Sequence, residues 1–513
     1  MQIRSGAGAV LDEHMVVAEH DPDGRIAFLE HELDLGEQLT GQRGAPVHAT
    51  VDDRHDRGCQ AAGDERSEPD RRRMQVSAML GDGARILGAI NGSRPAYAFG
   101  DAERGDVRRV RRIGIHVNDR TARTSQNGRV DFDLPDHHRL LRTTVREFAE
   151  QEIAPVAEEL DRTKQFPYEI VRRLGELDLM GIPFPARYGG GGGDSLAYAL
   201  AVEELTRVDS SVAITLCAHT SLGTQPVYLF GSEEQKREWL PPLCSGAQLG
   251  AFGLTEPEAG SDAGNTKTRA VLDDGEWVIN GSKQFITNAG TSISGMVVIT
   301  AVTGGNGSAG AAREISNLLV PNGTPGYEPG EPYRKMGWNA SDTRPLSFSD
   351  CRVPAENLIG ARGRGLAQFL HVLDIGRIGV AAMGVGLAQG ALDQALAYAK
   401  QRRAFGKPIS RFQSIQAKLA NLSAELEATR LLVHKAAYLK DQGANFTLTA
   451  AQAKLKSGRL AVSAADAAVQ IHGGYGCIEE YPVCRFYRDA KILTIGEGTD
   501  EVQEIVIARA LGA

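Results

Sequence analysis

One carboxylate stands apart from the other acids of this chain. In KILTIGEGTDEVQEIVIAR, Glu497 lies between Gly496 and Gly498, with no side chain on either neighbour. Flanking glycines permit unusual dihedrals and let another molecule approach the backbone closely. The residues that follow predict a helix from about Thr499. Thr499 is a good N-cap, Asp500 and Glu501 put negative charge in the first turn, and Val502, Ile505, Val506 and Arg509 recur at helical spacing. For a G-E-G taken alone, a surface turn with a solvated Glu is the better reading. Other stretches have to change that.

Two such stretches are AFGLTEPEAGSDAGNTKT and KQFITNAG. The first is dense in hydroxyls and small residues (Thr255, Gly260, Ser261, Thr266) and sits where helix gives way to strand. Its N–H groups and hydroxyls suit a polar planar ligand or a phosphate, and a solvent loop fits the same residues equally well. The second adds Phe285 and Thr287, an aromatic face and a hydroxyl that could line a flat ring, although Phe285 alone reads as a core residue. The run Gly189 to Gly193 lacks the G-K-[ST] of a phosphate loop and is expected to be a flexible loop. No G-x-G-x-x-G follows a strand, so a Rossmann site is unsupported.

These groups must be positioned by a chain of 513 residues, enough for two to four domains. A net charge of −8 argues against a general nucleic-acid binder, which needs a basic face. No apolar run approaches a membrane span of about 20 residues and no signal-peptide core is evident, so a cytoplasmic location is expected. The six cysteines form no C-x-x-C pair, and neither a zinc site nor a disulfide framework is suggested. Residues 1–130 are rich in Arg and contain no Lys, and their charges alternate without an apolar period. They are expected to be largely disordered, or an artefact of an upstream start codon with a true start near Val130.

From residue 131 three units follow. Helical periodicity runs over 131–249, short strand-like runs with the turn signals Asp274-Gly275 and Asn280-Gly281 over 250–360, and long helices over 361–513. Ile415, Leu419, Leu422, Leu426, Thr429 and Val433 form one stripe on a helix that stops near Gly443. The expected class is α+β: a helical domain, an antiparallel β domain and a C-terminal four-helix bundle.

LTEPEAGSD, INGSKQFITNAG, RRAFGKPI, QIHGGYG and RDAKILTIGEGT occur in the order and approximate spacing of the acyl-CoA dehydrogenase family of flavoproteins, which the chain resembles from about Phe132 to its end. The resemblance implies FAD bound between the β domain and the C-terminal bundle, with its adenine end reaching a neighbour in a homotetramer. By motif match, Phe252, Leu254, Thr255 and Ser261 would surround the flavin, with Phe285 and Thr287 covering the ring. Arg402, Phe405 and Gln413 would hold the neighbour's pyrophosphate and adenine, Gln470, Gly473 and Gly474 the adenosine, and Thr499 with Glu501 the diphosphate-side turn. Glu497 would be the base that takes the α-proton of an acyl-CoA while hydride leaves the β-carbon for the flavin, and its main-chain N–H would bind the thioester oxygen. Ser261, Asp374, Arg377 and Gly498 would contact substrate.

One branch of the family carries its base on the long helix, where this chain has Gly376, so Glu497 is left as the sole candidate. Asp374 and Arg377 also read as a simple intrahelical ion pair. Gly496, where straight-chain relatives can have an aromatic residue, would widen the pocket toward bulkier or branched acyl groups. The implied activity is α,β-dehydrogenation to the trans-2-enoyl-CoA with electrons passed to an electron-transferring flavoprotein. The alternatives are an oxygen-using acyl-CoA oxidase and a non-catalytic acyl-CoA or flavin-binding relative.

Overall fold

The computed structural model describes residues 16–20, 26–30, 132–305 and 313–513. Most of the segment expected to be disordered lies outside these residues. Within it, β1 (Val16–His20) and β2 (Ile26–Glu30) pair antiparallel, where the sequence showed no sustained period. The DPDGR between them carries Pro, Asp and Gly, the residues that favour a turn.

The first unit of the main body is helical: α1 (Asp136–Phe148), α2 (Ala157–Thr163), α3 (Tyr168–Glu176), α4 (Ser195–Thr206), α5 (Ser210–Ala218), α6 (Gln225–Phe230) and α7 (Glu233–Cys244). Its caps follow from sequence. The Asp194 and Asp209 carboxylates accept from the first turns of α4 and α5, and Ser232 with Gln235 forms a reciprocal capping box on α7. The glycine run is not a flexible loop. The N–H groups of Gly190, Gly191, Gly192 and Gly193 all donate to carbonyls of 181–185, tying the run to the segment before it.

The middle unit holds β3 (Leu249–Gly253), β4 (Arg269–Asp273), β5 (Glu276–Thr287), β6 (Ser294–Gly304), β7 (Glu314–Pro321), β8 (Tyr327–Pro329), β9 (Thr343–Pro354) and β10 (Leu358–Ile359). They form one sheet in the order β10-β7-β6-β4-β5-β9-β8, with β3 beside β6. Pairing is antiparallel except that β3 and β4 each run parallel to β6, so the expectation of a purely antiparallel domain is corrected. Asp274-Gly275 is the β4–β5 hairpin turn, both residues at positive φ. Asn280-Gly281 is not a turn. It lies inside β5, where the register against β9 shifts, and Asn280 bonds Asp350 across the pair.

The last unit has three long helices, α8 (Gly365–Gln401), α9 (Gln413–Asp441) and α10 (Thr447–His472), and two short ones, α11 (Pro482–Ile492) and α12 (Asp500–Leu511). The hairpin β11 (Arg403–Ala404) and β12 (Lys407–Pro408) joins α8 to α9. On α9, Leu422, Leu426, Thr429 and Val433 are buried along the expected stripe. The 37-residue α8 has an 18-residue window of mean hydropathy 1.4, so one segment is long and apolar enough to cross a membrane, contrary to the sequence reading. Since 78% of that window is buried inside the protein, α8 serves as the core helix around which the other elements pack.

Candidate active site

Glu497 sits in the turn between α11 and α12. Gly496 N–H closes back onto the Ile492 carbonyl (2.9 Å), Asp500 N–H onto that of Thr494 (3.1 Å), and Thr499 caps α12 by accepting from Val502 N–H (3.3 Å). Between these anchors Glu497 takes φ +55° and Gly498 φ +93°, two consecutive left-handed residues. A non-glycine residue held there costs free energy, and such residues cluster at functional sites. The turn sends the carboxylate inward, so the acid is not exposed as a bare turn would suggest. Both carboxylate oxygens are shut off from solvent and have no hydrogen-bond partner among the described residues. Burial pushes the carboxyl up to about 7, while Lys454 and Arg377 act the other way.

Gly376 makes the space for this group. A Cβ built there would collide with Glu497 Oε2 and lie 3.0 Å from Leu222 Cδ2. The space beside this helix position is therefore taken by the Glu497 carboxylate.

Two cations stand near. Arg377 is buried on α8 and donates to Asp374 (2.6 Å), whose other oxygen accepts from Thr447 Oγ1 (2.8 Å). The ion pair read from sequence is thus present. Lys454, fully buried on α10, donates to the Gly498 carbonyl (2.7 Å), which also accepts from Gln503 Nε2 (3.0 Å). Glu501 is exposed in the first turn of α12.

A second cluster lies at the edge of the β unit. Thr255, half-buried just beyond β3, accepts from Gln284 N–H (2.8 Å) through its carbonyl, which brings it beside Phe285 and Thr287 of β5. Phe285 is 65% exposed at φ +61° with Tyr333 at 5.3 Å, an open aromatic face and not a core ring. Ser261 is exposed and Leu254 buried. Phe252 stacks on Phe369 of α8 at 4.0 Å, part of the packing between sheet and helix. The TEPEAGSD stretch is no free solvent loop, because Glu256 and Lys283 pair at 2.7 Å, both buried. Burial alone would push Glu256 up, yet the Lys283 ammonium and the Thr266 hydroxyl hold it at about 2.

A third cluster gathers where α8 ends. A cavity of about 520 Å³ is lined by Tyr398, Arg402, His472, Gly473, Gly474 and Tyr475, among others. The Arg402 guanidinium lies 5.8 Å from the Tyr475 ring centre. Gly473 and Gly474 have nothing within 4 Å of a built Cβ, so their backbone can be approached closely. Gln470 and Gln413 are exposed beside this region, and Phe405, 93% exposed at the tip of the β11–β12 hairpin, lies 6.0 Å from Phe412. Gly376 and Tyr398 stand 22 residues apart on one helix, about 33 Å, so the first and third clusters do not meet within one chain.

Family models match in this same order: acyl-CoA dehydrogenase N-terminal domain over 135–247, middle domain over 251–351 and C-terminal domain over 363–512. The probable acyl-CoA dehydrogenase YngJ of Bacillus subtilis (strain 168) is 51% identical over 382 residues, covering 74% of this chain and 100% of that protein. The chain belongs to the acyl-CoA dehydrogenase family. Two solved structures share its fold. One is butyryl-CoA dehydrogenase from Megasphaera elsdenii (44% identity, TM-score 0.72, 75% of this chain and 100% of that one). The other is a chain in the structure of the electron transferring flavoprotein of Acidaminococcus fermentans (43% identity, TM-score 0.72, 74% and 99%).

For an acyl-CoA dehydrogenase the surroundings of Gly496 bear on acyl shape. Trp338 Cη2 lies 4.0 Å from a Cβ built at Gly496. The indole stands within ordinary van der Waals reach of that position, and its backbone is fixed by Trp338 N–H donating to the buried Asp489 (2.7 Å). Trp338, Lys454, Gln503 and the aromatic lining of the far cavity were all missed by motif reading. For Lys454 a signal existed: Ala450, Lys454, Ser457 and Ala461 share one helix face, which puts a lysine on a buried stripe.

Proposed function

We propose that this enzyme dehydrogenates a short, straight-chain acyl-CoA between its α and β carbons, with Glu497 as the base. The observation that carries the reading is the Glu497 carboxylate, shut off from water, unpaired and pushed up to about 7. Such a group is half ionised near neutrality and gains by taking a proton, which is the property of a general base. Its own N–H finds no acceptor among the described residues. It is therefore free to donate to a thioester oxygen and stabilise negative charge that develops there as the α-proton leaves.

The cofactor is FAD, which when bound accepts the hydride from the β-carbon. Thr255, Phe285 and Thr287 present a hydroxyl-bearing edge and an open aromatic face suited to a flat ring system. The Arg402 cavity, with its aromatic walls and bare glycine backbone, suits an adenosine diphosphate, whose phosphates pair with the planar guanidinium. Its distance from Glu497 supports a homotetramer in which each chain contributes this end to a neighbour's cofactor. Leu222 and Trp338 close in on the turn that carries Glu497, and the likeness to a butyryl-CoA dehydrogenase points to the same short acyl class. An electron-transferring flavoprotein is the proposed acceptor, supported by the second structural likeness.

The test is an anaerobic titration of the holoenzyme with saturated acyl-CoAs of increasing length, following loss of visible flavin absorbance. Butyryl-CoA is expected to bleach the wild type while Glu497→Gln binds it without bleaching. Bleaching by the variant, or none by any acyl-CoA with the wild type, would overturn the reading.

A further inference from the structure

The Glu497–Gly498 backbone is left-handed at both residues, and neither carboxylate oxygen of Glu497 is hydrogen-bonded. Something else has to keep the acid in place. Lys454 comes from the middle of α10, a helix distant in sequence from the turn, with its side chain wholly buried. Its ammonium lies 2.7 Å from the Gly498 carbonyl oxygen and 3.8 Å from Asp500 Oδ1. A lysine buried at that cost is retained only where its contacts matter. The neutral donor Gln503, also buried, reaches the Gly498 carbonyl at 3.0 Å and that of Glu497 at 3.3 Å.

We propose that Lys454 is a positioning residue for the base: its ammonium clamps the Gly498 carbonyl to hold the left-handed turn, and brings a buried positive charge to the turn that carries Glu497. The division of labour with Gln503 follows from chemistry, since both hold the backbone and only Lys454 brings charge.

Arg377 from α8 and Lys454 from α10 act on Glu497, which in turn acts on Tyr198 of α4 and Cys217 of α5, while Asp500 at the start of α12 lies beside Lys454. Tyr198 and Cys217 are buried and neutral over the working range, because burial pushes both well up. Arg377 is already paired with Asp374 at 2.6 Å. Lys454 is more weakly offset, with its nearest carboxylate at 3.8 Å.

This inference rests on the reading of Glu497 as base, and the experiment separates the two. Flavin reduction by a saturating acyl-CoA is followed across pH for holoenzyme carrying Lys454→Met, Lys454→Gln and Gln503→Leu, with Glu497→Gln as the reference. Expected for Lys454→Met are unchanged FAD content, a loss of roughly tenfold or more in the reduction rate, and an acid limb moved up by about one pH unit. Lys454→Gln, which keeps a donor for the carbonyl, shows the same limb shift with a smaller rate loss. Gln503→Leu lowers the rate and leaves the limb where it is. Should the Met variant not fold, the Gln variant decides, and an unmoved limb there sinks the proposal. A loss of substrate affinity or of FAD with the limb unmoved does the same, since that is all a merely structural lysine would give. If Glu497→Gln itself reduces flavin at the wild-type rate, the base assignment fails, whatever the lysine variants do.

Discussion

Near Gly376 the protein closes around one carboxylate, with two buried cations, a capped turn and an indole all fixed from within the chain. At Arg402, where the same helix ends, it stays open: a cavity of about 520 Å³, bare glycine backbone and an almost fully exposed Phe405. An enclosed site shifts the affinity of its own side chain for a proton, because burial acts on charge. An open site can only offer surface to a ligand brought from outside. This contrast underlies our proposal of reaction chemistry near Gly376 and cofactor retention at Arg402.

The sharpest way to break this contrast is to show that the enclosed end does not govern rate. Glu497→Gln should lower anaerobic flavin reduction by roughly 10³-fold with FAD content intact. Gly376→Ala comes next, since its methyl group meets the Glu497 carboxylate. A fall of about 10²-fold in the reduction rate is expected, with acyl-CoA binding weakened less, as stopped-flow traces at several substrate concentrations would reveal.

At the open end the signature should invert. Arg402→Leu is expected to raise the FAD dissociation constant about 10- to 100-fold in a fluorescence titration, while reduction at saturating FAD stays within about twofold of wild type. A large rate defect that excess FAD does not restore would erase the distinction between the two ends.

The smallest effect is on stability. A carboxyl near 7 in the folded enzyme against an ordinary 4.5 holds its proton more tightly folded than unfolded. Its contribution to stability is full below about 4.5 and is lost as pH rises through about 7. Glu497→Gln should therefore be more stable than wild type at pH 8, by about 1–3 kcal/mol in urea unfolding of the holoenzyme, with the gap closing toward pH 5.

Local rules made much of this legible. The Thr499 cap, the Asp274-Gly275 hairpin and the α9 stripe follow from residue type and spacing, and the structure shows each one. Glu497 stands out by its glycine neighbours, but G-E-G alone reads as a surface turn, and only the run of motifs along the chain gives the acid a role. What escaped were relations between distant segments. Asn280-Gly281 has the composition of a turn, yet β9 pairs across it and makes it a bulge. The glycine run looks loose until the carbonyls of 181–185 are seen to accept its N–H groups. In each case a local propensity is overridden by a partner that no spacing rule could supply.

The uninterrupted course of α8 also bears on how this chain can change over generations. One residue inserted between Gly376 and Arg402 would turn the open cavity by about 100° around the axis relative to the base, and two would turn it by about 200°. Point substitutions can retune either end, whereas a change of length in this stretch would scramble their relative bearing.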